Sequence, residues 1–296
     1  MKWVEITVTT ALPAVEAIAN ILLESRTGGV VEESPQPGVT QLRSYLPVGS
    51  ATPATLNAIC SRIQALKTFG LDAGPARIET QIVEDSGWAQ AWKNHFRPFP
   101  VGARLWISPT WDTTLPPPGA MVVALDPGMA FGSGLHASTQ MCLSVMEEHI
   151  RGGERVFDVG AGSGILSIAA AKLGAASVLA IDNDPVAVDV ARQNVQHNRV
   201  ADRVTVQLGH LLDGVADHAD VILANLIADI HLTFLADGPG HLTPRGILAA
   251  SGIVEDRMLE VEAVARSVGL RSLEVKRDAE WRCVILTRER GNGGTR

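Results

Sequence analysis

Cysteine is scarce in this chain, and its scarcity excludes several chemistries. Cys60, Cys142 and Cys283 are scattered, odd in number and without metal-ligand spacing, so neither a disulfide framework nor a metal site is expected. Cys60 and Cys142 fall on apolar helical faces and read as small core residues. Long apolar runs are missing too: no stretch reaches the roughly 20 residues of a membrane span, and Glu5, Pro13 and Glu16 interrupt what could pass for a signal peptide. Nor is positive charge in excess. A net charge of −7 and a pI near 5.6 argue against a broad nucleic-acid or membrane footprint and favour a basic partner. The expectation is a soluble protein of a reducing, cytoplasmic compartment.

What the sequence does have is length for two domains, at 296 residues, and a 46% apolar content ample for packed cores. Its most informative stretch is Val156-Phe157-Asp158-Val159-Gly160-Ala161-Gly162-Ser163-Gly164, followed by the helix-like run Ile165 to Lys172. A strand that ends in glycines and turns into a helix lets a ligand approach backbone N–H groups. Twenty-two residues beyond Gly160, a second buried strand, Val178 to Ile181, ends in Asp182, placed to accept hydrogen bonds from both hydroxyls of a ribose. The pattern predicts an adenosine-type ligand.

Glycine spacing narrows the ligand. A dinucleotide fingerprint wants its third glycine three positions after the second, but Ile165 stands there and Gly164 comes too early. Asp158 at the mouth of the loop would repel a pyrophosphate and suit the cationic amino-acid end of S-adenosylmethionine. An ordinary glycine-rich turn and a nicotinamide site are the alternatives. The D-x-G-x-G-x-G pattern with its strand-end acid resembles motif I and the next strand of class I methyltransferases.

The rest of the chain reads as two architectures. Lys2–Val8, Pro13–Ser25, Val30–Glu32, Gln41–Val48, Ala54–Phe69 and Arg77–Glu84 alternate as βαββαβ, the ferredoxin-like arrangement, over residues 1–84. This part has no glycine phosphate loop and no ligand cluster, so partner recognition is its expected role. Residues 85–100 form a linker helix with Trp88, Trp92 and Phe96 on one face. Residues 101–296 open with Arg104–Ser108 and Met121–Leu125, expected as an added hairpin or edge around Pro116-Pro117-Pro118. Strands at 156–159, 178–181, 204–207, 221–224 and 247–251 then alternate with helices. The close link between Leu270–Lys276 and Arg282–Thr287 predicts an antiparallel hairpin, completing a seven-stranded Rossmann-like sheet.

Two further segments sharpen the resemblance. Asp126-Pro127-Gly128-Met129-Ala130-Phe131-Gly132-Ser133-Gly134-Leu135-His136-Ala137-Ser138-Thr139 is too glycine-rich for a strand or helix, and Asn225-Leu226-Ile227-Ala228 follows the fourth core strand. With Glu280-Trp281 and the N-terminal module, they make the whole chain similar to the ribosomal protein L11 methyltransferase family (PrmA). That resemblance implies methylation of lysine side chains and the N-terminal amine of one large-subunit ribosomal protein by S-adenosylmethionine, in a monomer with no nucleic-acid or membrane contact. It implies cofactor contacts at Thr139, Gly160, Asp182 and Asn225, with Phe131 and His136 lining the same pocket. Gly162 and Asp158 belong to the loop, Asp158 organising it or meeting the cofactor amine. The family's usual H-P-T-T reads His136-Ala137-Ser138-Thr139 here, so the proline is missing. As alternatives, Thr139 caps the helix Gln140–His149, and His136 is a loop hydrogen-bonder.

The reaction asks little of side chains beyond aligning an in-line attack by a neutral amine. An ammonium of ordinary pKa near 10.4 must first lose its proton. Asn225 is the candidate catalytic residue, its oxygen steering an amine N–H while solvent takes the proton. Methylation of another protein or a small amine, or a non-catalytic adenosyl-cofactor scaffold, remain open readings.

Overall fold

The computed structural model describes residues 2–11, 14–25, 27, 30–36, 39–49, 52–66, 73–74, 76–84, 97–125, 132 and 134–289. The aromatic face of Trp88, Trp92 and Phe96, and the glycine-rich stretch through Phe131, lie outside them. The chain divides into two compact units, Met1–Phe96 and Arg97–Arg296.

In the first unit, β1 (Lys2–Thr10), α1 (Val15–Glu24), β2 (Val30–Gln36), β3 (Val39–Pro47), α2 (Thr52–Ala65) and β4 (Arg77–Glu84) follow in that order. The strands pair antiparallel in the order β2-β3-β1-β4. Alternation along β1 decides its faces: Val4, Ile6 and Val8 are buried with Leu42 and Leu46 against Ile18 and Leu22 of α1 and Ile59 and Ile63 of α2. Glu5 points the other way and accepts bonds from the Tyr45 hydroxyl (2.8 Å) and Gln81 Nε2 (2.7 Å).

The second unit begins with β5 (Phe99–Val101), β6 (Leu105–Pro109) and β7 (Met121–Leu125), a three-stranded sheet of its own. Here the hairpin expectation fails: β6 and β7 pair in parallel. Residues 110–120 are far longer than a hairpin turn, and the proline run carries the chain back to enter β7 in the direction of β6. Asn198 then holds β7, its Oδ1 accepting from Ala124 N–H (2.9 Å) and its Nδ2 donating to Ala124 O (2.6 Å).

The main sheet alternates β8 (Arg155–Val159), β9 (Ser177–Asp182), β10 (Val204–Leu208), β11 (Ala219–Asn225) and β12 (Leu242–Val254) with helices, then ends in β13 (Leu270–Asp278) and β14 (Trp281–Arg288). The helices are α3 (Ala137–His149) before β8, then α4 (Ile165–Leu173), α5 (Pro185–His197), α6 (Ala228–Asp237) and α7 (Met258–Ser267). Its seven strands run β10-β9-β8-β11-β12-β14-β13. The first five are parallel and β14 is antiparallel to both neighbours. Both faces are covered: Val156, Val221 and Leu223 enter one core, Phe157, Val159, Ile222 and Ala224 the other. Burial on both faces explains why these strands read as unbroken apolar runs. Cys142 and Cys283 are buried and Cys60 is half-buried, all with free thiols. From β8 the chain builds outward first through β9, later through β11, so a crevice opens at the carboxyl ends of these strands.

Candidate active site

The glycine loop fills the turn from β8 into α4. Gly160 and Gly164 have φ of +76° and +80°, a region that L side chains rarely adopt. The loop spends its own donors: Gly160 and Ala161 N–H both bond Ile181 O (2.9 and 3.0 Å), Gly164 N–H bonds Ala161 O (2.8 Å), and Gly162 N–H bonds Asp182 Oδ2 (2.8 Å). A pyrophosphate would find those four N–H groups already occupied, whereas a ligand without phosphate needs none of them. That chemistry fits S-adenosylmethionine better than a dinucleotide. Asp182 ends β9 half-buried, its Oδ1 also accepting from Asp184 N–H (2.9 Å).

Asp158 lies beneath the loop and is completely buried. Its Oδ2 accepts from Ser167 N–H (3.0 Å) and Ser167 Oγ (2.6 Å), in the first turn of α4. Burial pushes its carboxyl up to about 6, opposed by the two Ser167 bonds and reinforced by the charge of Asp182. Oδ1 is buried with no hydrogen-bond partner among the described residues. The carboxylate therefore binds the loop to the helix, and its orphan oxygen carries the unmatched negative character that a cationic ligand would favour.

On the other side of the crevice, Asn225 at the end of β11 donates from Nδ2 to Thr139 Oγ1 at 3.1 Å. Thr139 is buried within the first turn of α3. It is not the cap of that helix: His136 is, its Nδ1 accepting from Ser138 N–H (3.2 Å) and lying 2.7 Å from Ser138 Oγ. Burial pushes the His136 pKa down, against the pull of Glu280, so the ring is neutral near pH 7 with its proton on Nε2. His136 meets Trp281 edge to face, centroids 4.6 Å apart. Trp281 is fixed in turn by Arg282, whose Nη1 donates to the Ala279 and Trp281 carbonyls (2.7 Å each) and whose Nη2 pairs with Glu255 (2.6 Å).

The structure thus gathers Thr139 with Asn225, and Gly160, Gly162, Asp158 and Asp182 around the loop; Phe131 lies outside the described residues. Leu226 joins the two groups, because a Cβ on Gly160 would come within 2.5 Å of Leu226 Cδ2. Sequence reasoning missed Ser251, Gly252 and His231. Ser251 O accepts from Leu226 N–H (3.0 Å) and from His231 Nε2 (2.8 Å), and Ser251 Oγ donates to Ser138 O (2.9 Å). Gly252 did carry a signal, since an isolated glycine inside a strand pattern marks a bulge or a close approach. His231, one imidazole on an apolar helix, carried none.

A family model described as ribosomal protein L11 methyltransferase (PrmA) matches residues 2–289. A ribosomal protein L11 methyltransferase of Geobacillus kaustophilus is 41% identical, over 96% of this chain and 99% of its own. One from Alkaliphilus oremlandii is 36% identical, over 96% and 98%. The crystal structure of ribosomal protein L11 methylase from Lactobacillus delbrueckii subsp. bulgaricus superposes with a TM-score of 0.62 at 30% identity, covering 66% of this chain and 98% of that one.

Proposed function

Because this chain belongs to the ribosomal protein L11 methyltransferase (PrmA) family, we propose that it methylates lysine and N-terminal amines of ribosomal protein L11, with S-adenosylmethionine as donor. The observation that carries this reading is the Asn225–Thr139 bond across the crevice from the glycine loop. It fixes the amide of Asn225 by its nitrogen, so that Oδ1 is presented as an acceptor.

The donor supplies an electrophilic methyl on a sulfonium; the protein need only align and desolvate the attacking nitrogen. Asp182 receives the ribose hydroxyls while Gly160 and Gly162 let the loop lie close beneath the adenosyl group. Asp158, sunk under the loop, adds the negative field that suits a cationic end. Desolvation lowers the pKa of the incoming ammonium, and its proton leaves to solvent. Asn225 Oδ1 accepts one N–H of the neutral amine and turns the lone pair toward the methyl. The N–C bond then forms as the S–C bond breaks, and the methylated ammonium and a neutral thioether are released. Phe131 and His136 line the cofactor side. Residues 1–84 grip the ribosomal protein, residues 85–96 link, and residues 97–296 catalyse, in a monomer that works in the cytoplasm.

Purified L11 and labelled donor test the proposal. The wild type should label L11, and Asn225→Ala at saturating donor should lose turnover by roughly a hundredfold, as for a lost orienting contact. Its pH midpoint should stay put, since Asn225 does not titrate. Labelling of other amines but not of L11 would move the substrate; normal turnover in the variant would withdraw the steering role.

A further inference from the structure

We propose that Gly252 is a positioning residue for methyl transfer, one that sets Asn225 Oδ1 and the Leu226–Ile227 peptide by offering them a bare Cα. The proposal rests on the reading of Asn225 given above and extends it to a residue on a different strand.

The ladder between β12 and β14 slips between Ser251 and Ile253, so Gly252 is the extra residue of a bulge, a device that re-aims what lies beside it. Its φ is +82°. A Cβ there would lie 2.5 Å from Leu226 O, 3.2 Å from Leu226 C and 3.0 Å from Asn225 Oδ1. Two of these three atoms are backbone and cannot rotate away. Oδ1 could swing only by breaking the bond from Nδ2 to Thr139. Gly160 makes a useful contrast, since among the described residues its Cβ would meet only the tip of the Leu226 side chain, which can turn aside.

Gly252 cannot retreat either. The preceding carbonyl, Ser251 O, is held by Leu226 N–H and by His231 Nε2, and Ser251 Oγ is tied to Ser138 O. His231 is fully buried on α6. A methyl on Gly252 must therefore push the end of β11, and with it the oxygen that steers the amine. The loop donors and Asp182 lie on other elements and Leu226 meets Gly160 only through a side chain that can turn, so the larger loss falls on turnover rather than on donor affinity.

The test uses the full chain, S-adenosylmethionine and L11. Gly252→Ala should lose roughly 30- to 100-fold in kcat at saturating donor, as a displaced orienting group does, with donor affinity held within about threefold and an unmoved pH midpoint. Gly269→Ala is the control: its φ is +77° with nothing among the described residues within 4 Å of the added Cβ, so it carries the backbone strain alone and should lose Tm but not turnover. In an Asn225→Ala background, Gly252→Ala should cost less than about threefold, because residues acting through one another are non-additive. If Gly252→Ala does not fold, His231→Leu, which removes one of the two donors holding the Ser251 carbonyl, should show the same split, with rescue by His231→Gln. Full turnover in Gly252→Ala, or in His231→Leu where that variant stands in, would overturn the proposal, as would a defect confined to donor affinity or an undiminished defect in the Asn225→Ala background. A wild type inactive on amines would remove the proposed function and this inference together; an impaired Asn225→Ala beside a normal Gly252→Ala would remove this inference alone.

Discussion

Two buried ionisable residues beside the crevice pull stability in opposite directions with pH. Asp158 has its carboxyl raised to about 6 by burial, so its contribution is fully present below the ordinary 3.8 and lost as pH rises through about 6. Burial lowers His231 to about 4; its contribution is full above the ordinary 6.5 and lost as pH falls toward 4. In Asp158→Asn the side-chain oxygen can still accept both Ser167 bonds; the buried amide NH2 adds a cost that does not vary with pH, and the titration is gone. The unfolding free energy of that variant, relative to wild type, should therefore climb as pH is raised from about 4.5 to about 7.5, by about 1.4 kcal/mol per unit of lost shift, and its Tm with it. A pH-independent difference would mean that Asp158 does not titrate in this window. Asp182→Ala belongs to the same scale: loss of charge-assisted bonds to a ribose should weaken donor binding by more than about tenfold in calorimetric titration, and unchanged affinity would discard the ribose contact. The acid and glycines of this loop were legible because each is demanded locally, by a positive φ or a strand end. The Asn225–Thr139 pairing joins residues 86 apart in sequence, and no local rule connects them; only the family resemblance set them in one pocket.

Elements divide in the same way. The core strands and α5 were readable from continuous apolar runs and helical spacing, and the β13–β14 hairpin from its short link, which the structure narrows to Ala279 and Glu280. The direction of β7 was not readable, because alternation marks a strand without saying which way it runs. Neither was the reach of β12 from Leu242 to Val254, whose added ends contain Pro244, Gly246 and Gly252 and look like breaks. A third feature hidden from sequence is how the turn between β5 and β6 is held. Glu147 of α3 accepts from Ala103 N–H (2.8 Å), Arg104 N–H (2.7 Å) and Leu105 N–H (3.0 Å), while Arg104 Nη2 donates back to Glu147 O (2.8 Å). One carboxylate thus serves three consecutive donors. Glu147→Ala should cost roughly 1–3 kcal/mol in urea unfolding, the usual loss for charge-assisted bonds, with Glu147→Gln between it and wild type. A loss below about 0.5 kcal/mol, the size of an ordinary surface change, would show that water replaces the clamp.

At the scale of the whole molecule, the two units have separate cores: Ile6, Ile18, Leu42 and Ile59 close one, while the seven-stranded sheet carries both of its own. Every site contact described above lies within residues 97–296. A unit with its own core and a complete sheet meets the physical requirement for independent folding. A fragment of residues 97–296 should therefore unfold cooperatively and bind S-adenosylmethionine within about threefold of the full chain, since no cofactor contact is removed. It should nonetheless lose most methylation of intact L11, because recognition is assigned to the antiparallel sheet and helices of the first unit. The loss should appear in kcat/KM for L11 while a short amine substrate at high concentration is turned over as by the full chain, the signature of binding energy removed far from the reacting atoms. Equal activity of fragment and full chain on L11 would place recognition in the second unit. A fragment that folds but no longer binds the donor would show that the first unit helps to shape the crevice itself.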